Sequence, residues 1–137
     1  MFRKLFSKIP EPLTGAPPVR RMKTFSSESG YVYQYVFEGR RPIPKPESVE
    51  FVFSASADRK TWNEIGVRVE SGAVREWESA HGRTLSTTEW YAIAKLALFL
   101  AFDQRPTPRE LTAHPVIVRH PEVASIMERL DSGMPPE

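Results

Sequence analysis

Tyr31-Val-Tyr-Gln-Tyr-Val-Phe37 is the stretch on which the reading of the fold turns. β-Branched and aromatic residues fill every position but Gln34, the composition of a strand. Alternation places Tyr31, Tyr33, Tyr35 and Phe37 on one face and Val32, Gln34 and Val36 on the other. Two registers follow. If the valines turn inward, the rings lie open beside Arg20, Arg21, Lys23, Arg40 and Arg41, a platform for stacking unpaired bases or meeting a partner protein. If the rings turn inward, they supply a large apolar payload to a core, and Gln34 takes the wet face.

Outward from this strand the pattern stays β. Val19 to Phe25 alternates loosely before a turn at Ser26-Ser-Glu-Ser-Gly30, and Gly39, Pro42, Pro44 and Pro46 break the strand on its far side. Val49 to Ser54 follows, then a turn at Ala57 to Lys60, then Trp62 to Val69 with Ile65, Val67 and Val69 alternating. Connections this short require antiparallel pairing, because parallel neighbours need a crossover of a dozen residues or more. The prediction is a four-stranded antiparallel meander.

After Val69 the apolar period changes from 2 to about 3.6. Ser71 is positioned to cap a helix through Ala73, Val74, Trp77 and Ala80, with Gly82 at its left-handed end. Ser86-Thr-Thr-Glu89 has the spacing of a capping box and introduces a long apolar helix to about Asp103, which Pro106 and Pro108 end. A last helix starts at Pro121 and buries Val123, Ile126, Met127 and Leu130. Between them Val116-Ile-Val118 reads either as a short fifth strand or as a packed loop. The class is α+β: a four-stranded meander followed by about three helices packed on one face. Residues 1–18 read as a flexible, basic, Pro-rich arm, 19–131 as a single domain and 132–137 as a loose tail.

The chain has 137 residues and no Cys, so disulfides, thiolate metal sites and thiol nucleophiles are excluded together, and a reducing cytoplasm is the expected setting. Net charge is +2, yet residues 1–45 carry nine basic side chains against three acidic ones and the remainder is net acidic. Such an asymmetry suits an anionic partner or a second copy of the chain. Phe2, Leu5, Phe6 and Ile9 make a basic amphipathic turn that the following prolines cut short. Trp90 to Phe102 is too short and carries Lys95, so no integral membrane association is expected. That helix is nonetheless apolar nearly all round, and a homodimer through it is the expected cover.

No catalytic constellation stands out. His114 and His120 each precede Pro on extended chain and lie too far apart to share a metal, and His81 sits at a helix end. There is no nucleophile elbow, no phosphate-cradling glycine loop and no metal-ligand spacing. Glu76, Glu78, Glu47 and Glu50 retain the possibility of carboxylate chemistry, alone or with His81. The expected function is therefore a non-enzymatic protein-interaction module, a homodimer without cofactor or metal. Its candidate binding residues are Tyr31, Tyr33, Tyr35, Arg21, Lys23, Arg40 and Arg41. Single-stranded nucleic-acid binding through the same residues is the first alternative, and a small enzyme the second.

Overall fold

The computed structural model describes residues 11–133, so the amphipathic turn expected over residues 2–9 lies outside them, as does most of the tail. Five strands form one sheet: β1 (Lys23–Ser26), β2 (Val32–Pro44), β3 (Glu47–Ser56), β4 (Asn63–Glu70) and β5 (Val116–Val118), neighbours in that order. Four helices accompany them: α1 (Ser71–His81), α2 (Thr87–Gln104), α3 (Pro108–Leu111) and α4 (His120–Asp131). The fold is α+β, with five strands rather than four. The first four pair antiparallel as a meander, and β5 joins β4 in parallel. A three-residue strand is too short to show a period, and only the chain's return after α2 makes the parallel pairing possible.

Tyr33 and Tyr35 face inward. Tyr33 is 1% exposed and stacks on Phe102 of α2 with ring centroids 4.5 Å apart, while Phe25, opposite Tyr33 across the β1–β2 ladder, stacks on Phe99 at 4.6 Å. The sheet's inner face continues through Phe51, Phe53, Ile65, Val67 and Val69, all buried. Rings this large contribute most when removed from water, and α2 supplies the surface that removes them.

β2 runs past Gly39 and Pro42, where the sequence reading ended it. The register slips between Phe37, opposite Phe53, and Gly39, opposite Val52, so Glu38 is the extra residue of a β-bulge. Pro42 and Pro44 fall beyond the part of β2 that β1 covers, and proline is tolerated at such an edge.

The helices start and stop largely where local chemistry directs. Gly82 takes φ +63° and its amide donates to the Glu78 carbonyl, closing α1. Ser71 is not a cap, because α1 follows β4 with no intervening loop and Glu70 holds that position without a side-chain bond. The capping box of α2 is complete: Ser86 Oγ accepts from the Glu89 amide and Glu89 Oε1 accepts from the Ser86 amide. α3 was not legible from the pattern, being four residues introduced by Thr107 and Pro108.

The apolar girth of α2 is covered within the one chain. Residues 93–99, Ala101 and Phe102 are all buried against the sheet, β5 included, and α4. The reason for a second copy on this helix is thereby removed. Arg105, just past α2, donates to the carbonyls of Leu111, His114 and Pro115 and so fastens the connection that leads to β5.

Candidate functional site

The bulge at Glu38 decides which charges meet. Had β2 kept a regular alternation, Arg41 would share the face of Tyr33, Tyr35 and Phe37. The extra residue reverses the parity: Arg40 lies opposite Phe51 on the inner face, and Arg41 lies opposite Glu50 on the outer one. Lys23 is opposite Tyr35, and Arg21 precedes it by two residues. Arg21, Lys23 and Arg40 thus converge at the open edge of the inner face, beside Tyr35 and Phe37.

The first turns of α2 close the other side. Thr87, Thr88, Tyr91 and Lys95 recur at helical spacing and line the same cleft, which has a volume of about 450 Å³. Among the described residues four cations and three aromatic residues line it, and no carboxylate does. Lys95 is only 7% exposed, with its ammonium 5.9 Å from the ring centroids of Tyr91 and Phe99. The capping box uses the amides of Ser86 and Glu89. Those of Thr87 and Thr88 belong to the first turn, which has no intrahelical acceptor and whose partial positive charge adds to that of the side chains.

The third wall is residues 14–19, all but Val19 from the stretch read as a flexible arm. Thr14 bridges to β2 by two backbone bonds, its amide to the Arg40 carbonyl at 2.9 Å and the Arg40 amide to its own carbonyl at 2.7 Å. Gly39 permits this approach. It holds φ +133°, and a Cβ there would lie 2.8 Å from the Thr14 carbonyl oxygen. Gly39→Ala is accordingly expected to lower stability by about 1–3 kcal/mol, the usual range for a strained backbone position. Urea unfolding measures it, and an unchanged midpoint would contradict the proposed wall.

The seven predicted binding residues divide among three places. Tyr35, Arg21, Lys23 and Arg40 line the cleft. Tyr33 is core and cannot present a face for stacking, and Tyr35 shows only an edge at 3% exposure, so the open platform of rings does not form. Tyr31, 38% exposed, borders a separate cavity with Tyr33. Arg41 is on the outer face, where its Nε donates to Glu50 Oε1 at 2.9 Å. The α2 contributors were missed. Their signal was Lys95 itself, a charge amid an apolar run, which is rarely buried without a purpose.

The groups considered for catalysis are held apart. Glu78 accepts from the Leu85 amide, Glu47 faces Arg75, and Glu50 is bound by two arginines. His81 stacks on Trp77 with its Nδ1 2.9 Å from the Trp77 carbonyl, and His120 Nδ1 lies 3.8 Å from Glu76. Among the described residues no group of three or more potential ligands could hold a metal ion, and no helix is long and apolar enough to cross a membrane. Comparison with protein-family models, with curated proteins and with solved structures finds no match to this chain.

Proposed function

We propose that this chain is a non-enzymatic binding protein whose cleft takes a phosphate ester carried on a flat apolar body. One observation carries the reading: Arg21, Lys23, Arg40 and Lys95 gather with the α2 N-terminus around Tyr35, Phe37 and Tyr91. Several positive charges facing one small space suit a dianion better than a single carboxylate. The partly exposed rings of Phe37 and Tyr91 suit an aromatic body, and the volume matches one small molecule or one side chain rather than an extended surface. Arg40 can present two N–H groups to phosphate oxygens, and the nearby ammonium of Lys95 adds a point charge.

The same chemistry reaches such a cleft as a free aryl phosphate, as phosphotyrosine on a partner protein or as the terminal nucleotide of a single strand. Calorimetric titration with phenyl phosphate, a phosphotyrosine peptide and a 5′-phosphorylated oligonucleotide distinguishes these sources. Phenyl phosphate is expected to bind and phenol not, with affinity falling as salt rises. Arg40→Gln leaves the Thr14 bridge intact, since that bridge is backbone, and should weaken binding about tenfold or more, the range for a charged hydrogen bond. Equal binding of phenol and phenyl phosphate, or an unaltered Arg40→Gln affinity, would remove the proposal.

A further inference from the structure

β1 is the first strand of the sheet, and among the described residues its outer edge has no strand beside it. The hairpin that leads out of β1 fixes which groups face that edge. Ser27 donates its amide to the Tyr31 carbonyl at 2.9 Å. Pairs in an antiparallel ladder alternate between bonded and non-bonded, so Phe25 with Tyr33 and Lys23 with Tyr35 exchange the bonds to β2. The amides and carbonyls of Thr24 and Ser26 therefore point away from β2. The side chains alternate as well. Arg21 and Lys23 line the cationic cleft, while Thr24 and Met22, the latter 59% exposed, share the opposite face.

We propose that this edge takes an extended peptide as an added strand and that a phosphotyrosine of that peptide reaches past Lys23 into the cleft, which rests on the reading of the cleft as an aryl-phosphate site. An added strand sends its side chains alternately to the two faces of the sheet. A residue opposite Lys23 is thus directed to the inner face and the cleft, and its chain neighbours lie on the side of Met22. Thr24 and Ser26 supply the main-chain donors and acceptors that hold the strand, and the cleft supplies the charge that selects its side chain.

Charge and bonding disfavour the other occupants of this edge. A second copy paired through β1 would bring Arg21 and Lys23 of both chains within a strand spacing of each other, and like charges so placed oppose pairing. Arg20 does not add to that repulsion, because it is paired with Glu38 on the outer face. A single-stranded nucleic acid would bring phosphates to the cleft but no alternating amides and carbonyls to the edge. The carbonyls of Thr24 and Ser26 would then face its backbone without donors.

The test is calorimetric titration of the full chain with phenyl phosphate and with a capped peptide of alternating threonine and valine around a central phosphotyrosine. The peptide is expected to bind about tenfold or more tighter than phenyl phosphate, the gain that a few main-chain bonds give. N-methylation of alternate peptide amides should remove the gain in one phase and spare it in the other. Thr24→Pro removes an amide that bonds nothing in the sheet, so its melting temperature should stay near that of Thr24→Val, the control for the lost bond from Gln34 to the Thr24 hydroxyl. Thr24→Pro should bring the peptide down to the affinity of phenyl phosphate, while phenyl phosphate itself binds as before. Failure of phenyl phosphate to bind would overturn the reading of the cleft and this proposal with it. With phenyl phosphate bound, any of four results would overturn this proposal alone: a peptide no tighter than phenyl phosphate, equal binding of the two methylated phases, a gain that survives Thr24→Pro, or a 5′-phosphorylated oligonucleotide that binds more tightly than the peptide.

Discussion

Replacing Phe102 with alanine is expected to lower the unfolding free energy by about 3–5 kcal/mol, the range for emptying a large ring from a packed core. Phe102 has no exposed surface and touches the rings of three strand residues: Tyr33 at 4.5 Å, Phe25 at 5.3 Å and Tyr35 at 5.9 Å between centroids. It therefore joins α2 to both β1 and β2, and the void left by alanine would lie between three rings held by two strands. A domain of this size has a total stability on the order of 5–15 kcal/mol, so the variant would be near its limit at room temperature. Urea unfolding of Phe102→Ala and Phe102→Leu gives the comparison. The leucine variant should retain most of the stability, and a loss under about 1 kcal/mol for alanine would show that the rings do not pack as described.

The second large effect lies on the opposite face. Glu50 is 4% exposed and accepts from Arg41 Nε at 2.9 Å and from Arg68 Nε at 2.8 Å, a charge triad across β2, β3 and β4. Gly66 makes room for it, since a Cβ there would lie 2.7 Å from the Glu50 carboxyl carbon. Removing both arginines as Arg41→Met with Arg68→Met leaves a buried carboxylate without a cation, expected to cost about 3–5 kcal/mol at pH 7. A neutral carboxamide identifies the cause. Adding Glu50→Gln to that variant removes the unpaired charge and should return part of the loss. Denaturant midpoints of the double and triple variants at pH 7 measure it. A triple variant no more stable than the double would point to lost packing of the arginine stems instead.

Neither effect could be assigned from the strings of residues that produce it. Phe102 reads as one more apolar position in α2, and Glu50 reads as a solvated carboxylate within a strand. What was legible is the order of elements, because each carries a strong local signal: the β-formers of 31–37, the alternation of 65, 67 and 69, and the capping box at Ser86. The signals that failed were short or non-local. β5 has three residues, α3 has four, and the continuation of β2 through Pro42 depends on its lying beyond the stretch that β1 covers.

The candidate site was half legible for the same reason. Arg21, Lys23, Tyr35 and Arg40 could be gathered by adjacency to one strand, whereas Thr87, Thr88, Tyr91 and Lys95 come from a helix some fifty residues onward. Arg40 and Arg41 are chemically identical neighbours, and only the bulge at Glu38 sends one into the cleft and the other to Glu50.

By itself the sequence determined the class of fold, since hydrophobic period and turn chemistry act within a few residues of where they are written. It also determined the concentration of positive charge in the first third of the chain. The tertiary structure alone decided that the tyrosine rings turn inward, because that choice rests on what α2 offers to cover them. It likewise decided which cations share a space. A strand's two faces are equivalent until something packs on one, and a single extra residue exchanges them.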